Sequence, residues 1–304
     1  MLHSRMLKYL DEVVRSGSIR RAAEKLHVAS SSINRQIIEL EAEMGTPLFE
    51  RLPRRLRLTA AGEILITHIR RTLRDHERTH FRIKELGGIG RGTVRIATMN
   101  GLASGLMSNM CSDFMAEFPG VRFEIRSLTA REIVTAVEDG EVDFGLGYNL
   151  VPGAKHRIVE VFETALVVVA AAGHPLAQKP LVRLSDLEGH ALVLSDPSLT
   201  IRKIVDEACA RSQVVLRPRF ETNSVQMMKF MVHRGGAVTF LSPPDIDGEC
   251  RAGIFVALHL RDRMASNPLL LIERGAAAAS PSSAVFASRL QARLRQLTGP
   301  AARS

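Results

Sequence analysis

The sequence predicts an α-helical helix-turn-helix module with a β-hairpin wing, a long helix, and then an α/β portion built in two units. Three observations carry this expectation. Two short amphipathic segments meet at Leu26-His27-Val28, inside residues 17–44. A proline-free stretch over 60–86 is closed by the glycine cluster Gly87-Gly88-Ile89-Gly90-Arg91-Gly92. Beyond it, strand-like alternation and helix-like spacing take turns to the end of the chain, as they do in α/β folds.

Composition narrows the class. A chain of 304 residues has room for two or three domains, each with its own core. Its 45% hydrophobic and 24% charged content is that of ordinary folded proteins and excludes disordered and fibrous classes. No apolar run reaches the roughly 18 residues that span a bilayer. The opening MLHSRMLKYLDEVV carries charges through its apolar positions, unlike a signal peptide. The expectation is a cytoplasmic protein with no membrane partner. Cys111, Cys209 and Cys250 are widely spaced and belong to no CxxC or Cys/His cluster, so thiols are expected rather than disulfides, and no metal site. Residues 1–92 hold 18 Lys+Arg against 11 Asp+Glu, or +7, whereas 93–304 hold 23 against 21, or +2. A basic module joined to a nearly neutral one suits a polyanion partner; a solvated basic surface competes with that reading, and position must decide.

Taken in order, a helix is expected over 2–15, packed through Met6, Leu7, Leu10, Val13 and Val14 and stopped near Ser16-Gly17. Ser18 is placed to cap a second helix, 19–26, whose Ala22 and Ala23 permit close helix contact. In the next helix Ile33, Ile37, Leu40 and Met44 make one buried stripe. On its other face Ser30, Ser31, Asn34 and Arg35 lie near the N-terminal end, where short polar side chains and a guanidinium reach base edges in a major groove. Two short strands, 48–51 and 56–58, then flank a turn at Pro53 that puts Arg54 and Arg55 at the tip of a wing. Four arginines in the seven residues 51–57 suit phosphate or narrow-minor-groove contact.

Thr59 caps the long helix, which at 1.5 Å per residue spans roughly 40 Å and must project from so small a domain. Leu65, Ile69, Leu73 (or Thr72), His76, His80 and Ile83 follow one face and fit pairing with a second subunit; Arg70, Arg74, Arg78 and Arg82 read as a solvated stripe. His76 and His80 read as interfacial polar residues rather than metal ligands. After the glycine hinge come strands over 93–98, 121–127 and 142–148 alternating with helices over 102–118 and 130–139, the pattern of a parallel sheet. A second unit follows, with strands in EVFETALVVVAAA, GHALVLSD, LRPRFET, AVTFL and IFVALHL and helices over 201–211 and 225–233. PLLLIER and a helix over 283–297 close the chain.

The pattern GSIRRAAEKLHVASSSINRQIIELEAEMGTPLFERLPRRLRLTAAG resembles the DNA-binding domain of LysR-type transcriptional regulators. The resemblance extends along the chain through the FPGV turn, GEVDFGL and GHPLA. It implies a winged helix-turn-helix over 1–58, a dimerising linker helix and hinge over 59–88, and a two-lobed α/β effector domain like periplasmic binding proteins. Lobe I would be 93–163 with 267–300, and lobe II 164–266. Ser30 stands where the family usually has glutamine and Asn34 where it usually has serine, which bears on base preference rather than fold. The resemblance places an effector site between the lobes, lined by Asn100, Gly101, Thr129, Tyr148, Asn149, Ser198, Thr200 and Asn223, with Arg126, Arg131 and Arg202 as candidate counter-charges. Helix N-termini after parallel strands favour an anionic ligand there.

No GxSxG, P-loop, HExxH or strand-linked GxGxxG occurs, so an enzyme is not expected. GGIGRG follows a helix and precedes a strand, the reverse of a nucleotide loop, and His174 in GHPLA reads as a turn residue. A solute-binding protein of transport type is the competing class, opposed by the basic helix-turn-helix. The expected protein is a sequence-specific transcriptional regulator without cofactor. Its expected partners are a pseudo-palindromic double-stranded DNA operator, a small anionic effector and its own copies, as a homodimer or a dimer of dimers (homotetramer), with RNA polymerase a further candidate.

Overall fold

Helix α1 (Arg5–Ser16) turns Leu10 and Val13 inward and stops at Gly17, whose φ of +63° is the left-handed conformation that glycine adopts without strain. The computed structural model describes residues 5–52, 55–85, 91–274 and 280–299, so the start expected at residue 2 lies outside the described residues. Helix α2 (Ile19–Leu26) begins after Ser18, which holds the N-cap position in extended conformation without a side-chain cap bond. It ends at His27 in the left-handed region, where Val28 N–H bonds back to Ala23 O at 3.0 Å and turns the chain into α3 (Ser30–Met44). Ile33, Ile37 and Leu40 are buried as their spacing requires. Met44 is 48% exposed and corrects the fourth position of that stripe, because the last turn of α3 overhangs the core before Gly45 ends it.

The wing is an antiparallel hairpin of β1 (Phe49–Leu52) and β2 (Arg55–Leu58). Pro53 and Arg54 at its tip lie outside the described residues. Glu41 on α3 ties the wing down: its Oε1 accepts the N–H groups of Leu48 at 2.8 Å and Phe49 at 3.1 Å. Thr59 Oγ1 accepts from Gly62 N at 3.0 Å, capping α4 (Ala60–Glu85), and donates to Pro47 O at 2.8 Å. Ile66 and Ile69 of α4 are buried with Leu10, Leu48 and Phe49, so the first half of the helix belongs to its own domain. Ile69, flanked by partly buried Leu65 and Leu73, does not face a second subunit as its spacing suggests; it is held in this core because α4 starts inside it. Arg70, whose side chain is 38% exposed, is partly solvated and also paired: its Nε lies 2.8 Å from Asp11 Oδ1, an 11%-exposed carboxylate on α1 that Arg15 also holds.

The chain divides into two compact units, Met1–Leu86 and Gly87–Ser304. In the second, β3 (Arg91–Thr98) leads into one helical run: α5 (Asn100–Leu102), a π-helical turn (Ala103–Met107) and α6 (Ser108–Glu117). Then come β4 (Gly120–Ser127), α7 (Ala130–Glu138) and β5 (Phe144–Tyr148), with β3 parallel to both β4 and β5. They are followed by β6 (His156–Phe162), β7 (Val167–Ala171), β8 (Val193–Ser195), α8 (Thr200–Ser212) and β9 (Phe220–Thr222). The remainder is α9 (Val225–Gly235), β10 (Thr239–Leu241), α10 (Asp247–Arg251), β11 (Phe255–Leu258), β12 (Leu269–Arg274) and α11 (Pro281–Thr298).

One sheet has the order β4-β3-β5-β12-β6, and β12 runs antiparallel to both neighbours. It is therefore mixed, because its last strand returns from the other lobe. The second lobe pairs β10-β7-β11 antiparallel and β8-β9 parallel, joined by a Leu192–Val238 bridge. The five-stranded sheet is packed on both faces. Val94, Ile96, Phe114 and Phe286 pack on one side of it, with the Phe114 and Phe286 rings edge-on at 5.3 Å, and Ile133, Val137 and Ile272 on the other. The chain crosses between lobes at Thr164 and Asn267, and the crossings hold each other: Asn267 N donates to Thr164 O at 2.8 Å, and Thr164 Oγ1 to Asn267 O at 2.6 Å.

Candidate functional site

The outer face of α3 is the first candidate. Ser30, Ser31 and Arg35 are exposed and Asn34 is half-buried, on a helix whose opposite stripe is sealed in the core. Arg35 Nε pairs with Glu39 Oε1 at 2.8 Å, but both side chains are more than half exposed (80% and 60%), so water competes for each and the pair is easily exchanged. Among the wing arginines the backbone of Arg55 is placed on β2 opposite Leu52; its side chain and all of Arg54 lie outside the described residues. Ile38, which pattern reading passed over, is 49% exposed on this same face.

The second candidate is the set of turns that follow the strands of the two lobes. Asn100 and Gly101 open the helical run after β3; Gly101 is buried so closely that an added Cβ would stand 2.5 Å from Asp245 Oδ1. Thr129 caps α7 in a reciprocal box with Glu132, so its hydroxyl is engaged at 2.8 Å. Tyr148 donates its hydroxyl to Asp245 Oδ2 at 3.1 Å, and Asn149, at φ +52°, donates Nδ2 to Asn267 Oδ1 at 2.8 Å. In the second lobe the Ser198 hydroxyl is engaged with Asp196, while Thr200 and Asn223 are exposed at the starts of α8 and α9. Of the three arginines, Arg126 is paired with Glu141, and Arg202 with Asp206 and Glu221. Two further hydroxyls, Thr98 Oγ1 at the carboxyl end of β3 and Ser195 Oγ at that of β8, are fully buried and have no hydrogen-bond partner among the described residues.

Between the lobes lies a charged cluster that sequence reading missed. Asp245 and Lys229 are each 3% exposed. Lys229 Nζ bonds Glu249 Oε1 at 2.9 Å and Tyr148 bonds Asp245. Burial pushes the Asp245 carboxyl up to about 6 against the opposing pull of Lys229, and burial beside Asp245 pushes the Tyr148 phenol well above its ordinary value. Arg293 of α11 pairs with Asp247 of α10, so the 245–249 segment is fastened to the first lobe through both Asp245 and Asp247. A signal was present in Ser242-Pro243-Pro244-Asp245, which is a capping box, but its burial is set by Tyr148, 97 positions away.

A winged helix-turn-helix ahead of a two-lobed α/β domain is the architecture of DNA-binding regulators that carry an effector domain. Residues 4–63 match the family model described as bacterial regulatory helix-turn-helix protein, lysR family, and residues 87–295 the model for the LysR substrate binding domain. The chain belongs to the LysR family of transcriptional regulators. Its relatives include the "Probable RuBisCO transcriptional regulator" of Emiliania huxleyi, 28% identical over 82% of this chain and 81% of that protein. Among solved structures, a full-length OxyR variant from Pseudomonas aeruginosa is similar at a TM-score of 0.62 and 20% identity, covering 97% of this chain and 96% of its own. CbnR in complex with its target DNA is similar at a TM-score of 0.64 and 21% identity, covering 95% and 98%. The transport reading is thereby set aside. Among the described residues no helix is long and apolar enough to cross a membrane, and no group of three or more His, Cys, Asp or Glu is placed to hold a metal ion.

Proposed function

We propose that the regulator lays α3 in the major groove, with Ser30, Ser31, Asn34 and Arg35 reading base edges and Arg54 and Arg55 of the wing contacting phosphates or a narrow minor groove. The supporting observation is the polar outer face of α3 over a fully buried inner stripe. The operator is pseudo-palindromic and is read by a homodimer or a dimer of dimers. Self-association is supported by exposed apolar side chains on each lobe: Met115 and Ile125 in the first, Phe220, Met227 and Phe230 in the second. The proposed domain bounds are 1–58, 59–88, 93–163 with 267–300, and 164–266, with the start of the linker helix packed into the first of these through Ile66 and Ile69. The protein works in the cytoplasm, with RNA polymerase as a downstream partner.

The effector is a small anion held between the lobes. Its support is the pair of orphaned buried hydroxyls, Thr98 and Ser195, at the strand ends where α/β folds bind ligands. Asn100, Gly101, Tyr148, Asn149, Thr200 and Asn223 line this junction, and Thr129 and Ser198 shape its turns. With Arg126 and Arg202 engaged, Arg131 on the first turn of α7 and the helix N-termini supply the positive potential. Genome-wide mapping of the tagged protein tests the reading: discrete palindromic sites are expected, lost on Asn34→Ala with Arg35→Ala. Occupancy without site preference would overturn it, and the genes beside the sites would indicate the effector's chemistry.

A further inference from the structure

The outer face of α3 carries one large apolar side chain in the middle of its polar set. Ile38 is 49% exposed, whereas Ile33, Ile37 and Leu40 of the same helix are at most 5% exposed, and Ile38 lies outside the hydrophobic cluster they form. It stands three and four residues after Arg35 and Asn34 and seven after Ser31, on one helical face. Helical side chains lean toward the N-terminus, so Ile38 covers the turn of Asn34 and Arg35 rather than the solvent beyond it. An exposed helix position that only needed to stay soluble would be served by Lys, Glu or Gln; a β-branched apolar residue is a poor helix former there and costs exposed apolar surface. The Arg35–Glu39 pair flanks it, leaving the apolar group at the centre of the face.

We infer that Ile38 is a specificity-determining residue that packs on the 5-methyl group of a thymine in the operator. This rests on the reading of α3 as the base-reading helix. Apolar contact is the one major-groove signature that hydrogen-bonding side chains do not read. Ser31 to Ile38 spans roughly 10.5 Å of helix, about the rise of three base pairs, so the thymine lies within about three base pairs of those met by Ser31 and Asn34.

The test selects sites for the full-length protein from a random duplex library, then replaces each selected thymine by deoxyuridine, which removes only the methyl group. One replacement is expected to weaken wild-type binding about fourfold, the ratio for burying one methyl group. The same replacement is expected to leave Ile38→Ala unchanged, while Ile38→Val retains the sensitivity. Because Ile38 is outside the core, the alanine variant keeps its fold, checked by an unaltered melting temperature. A selected site indifferent to every thymine methyl, or equal sensitivity in wild type and Ile38→Ala, overturns the inference alone. Failure to select any site overturns the reading of α3 with it.

Discussion

Asp245 concentrates what a single residue does in this fold. Its carboxyl sits at about 6 rather than 3.8, so the folded state holds a proton that the unfolded chain releases earlier. Stability on this account is greatest below pH 3.8 and falls as pH rises to about 6, by roughly 3 kcal/mol in all. Asp245→Asn should remove that fall, seen as a flatter melting temperature between pH 4 and 6.5 than the wild type shows; an unchanged pH profile would refute it. The thiols make a second prediction at this scale. Burial pushes Cys111 up to about 12 and Cys250 up to about 11, leaving both protonated and unreactive near neutrality. Alkylation of the native protein at pH 7.5 should spare them and proceed after denaturation; rapid labelling of either would contradict their placement. The sequence pointed to thiols through spacing alone, while Asp245 and Lys229 were illegible because their burial comes from partners remote along the chain.

At the scale of elements, the wing and α4 are held by one small joint. An added Cβ at Gly62 would stand 2.1 Å from Leu48 O, a backbone atom that accepts from Thr59 N, while Glu41 holds the N–H of Leu48 and the Thr59 hydroxyl holds the carbonyl of Pro47. Gly62→Ala should therefore destabilise the N-terminal domain by about 3 kcal/mol, measured by denaturant unfolding. Glu41→Ala, which frees the N–H groups of Leu48 and Phe49, should cost about 2 kcal/mol and weaken DNA binding by releasing the wing. Binding at wild-type strength would mean that the wing is positioned otherwise. Most elements were legible here: α2 lies where Ala22, Ala23 and Gly17 required it, and Thr59 caps α4 as read. The burial of α4 against α1 was not, since Arg70 and Asp11 meet across 59 positions and periodicity reports only which residues share a face. The π-helical turn was also hidden, because one inserted residue leaves the apolar spacing of 102–114 nearly intact.

The molecule joins a basic reading module to an α/β body whose lobes are tied by Tyr148–Asp245 and Arg293–Asp247. On the proposed reading, an effector between them would act by its different affinity for two lobe arrangements, and these ties are contacts such a change would remake. The architecture was legible from the alternation of elements and the glycine cluster; the pairing of β12 between β5 and β6 was not, because it joins segments more than a hundred residues apart. Sequence-specific DNA reading is measured by the affinity of the full-length protein for its selected duplex and for a scrambled duplex across a salt series. A preference of at least about 10³-fold is expected near physiological salt, reduced by Asn34→Ala. The slope of log affinity against log salt is expected to shrink by about 1 for each of Arg54 and Arg55 replaced by Ala in each subunit. Equal affinity for both duplexes at every salt concentration would contradict sequence-specific reading.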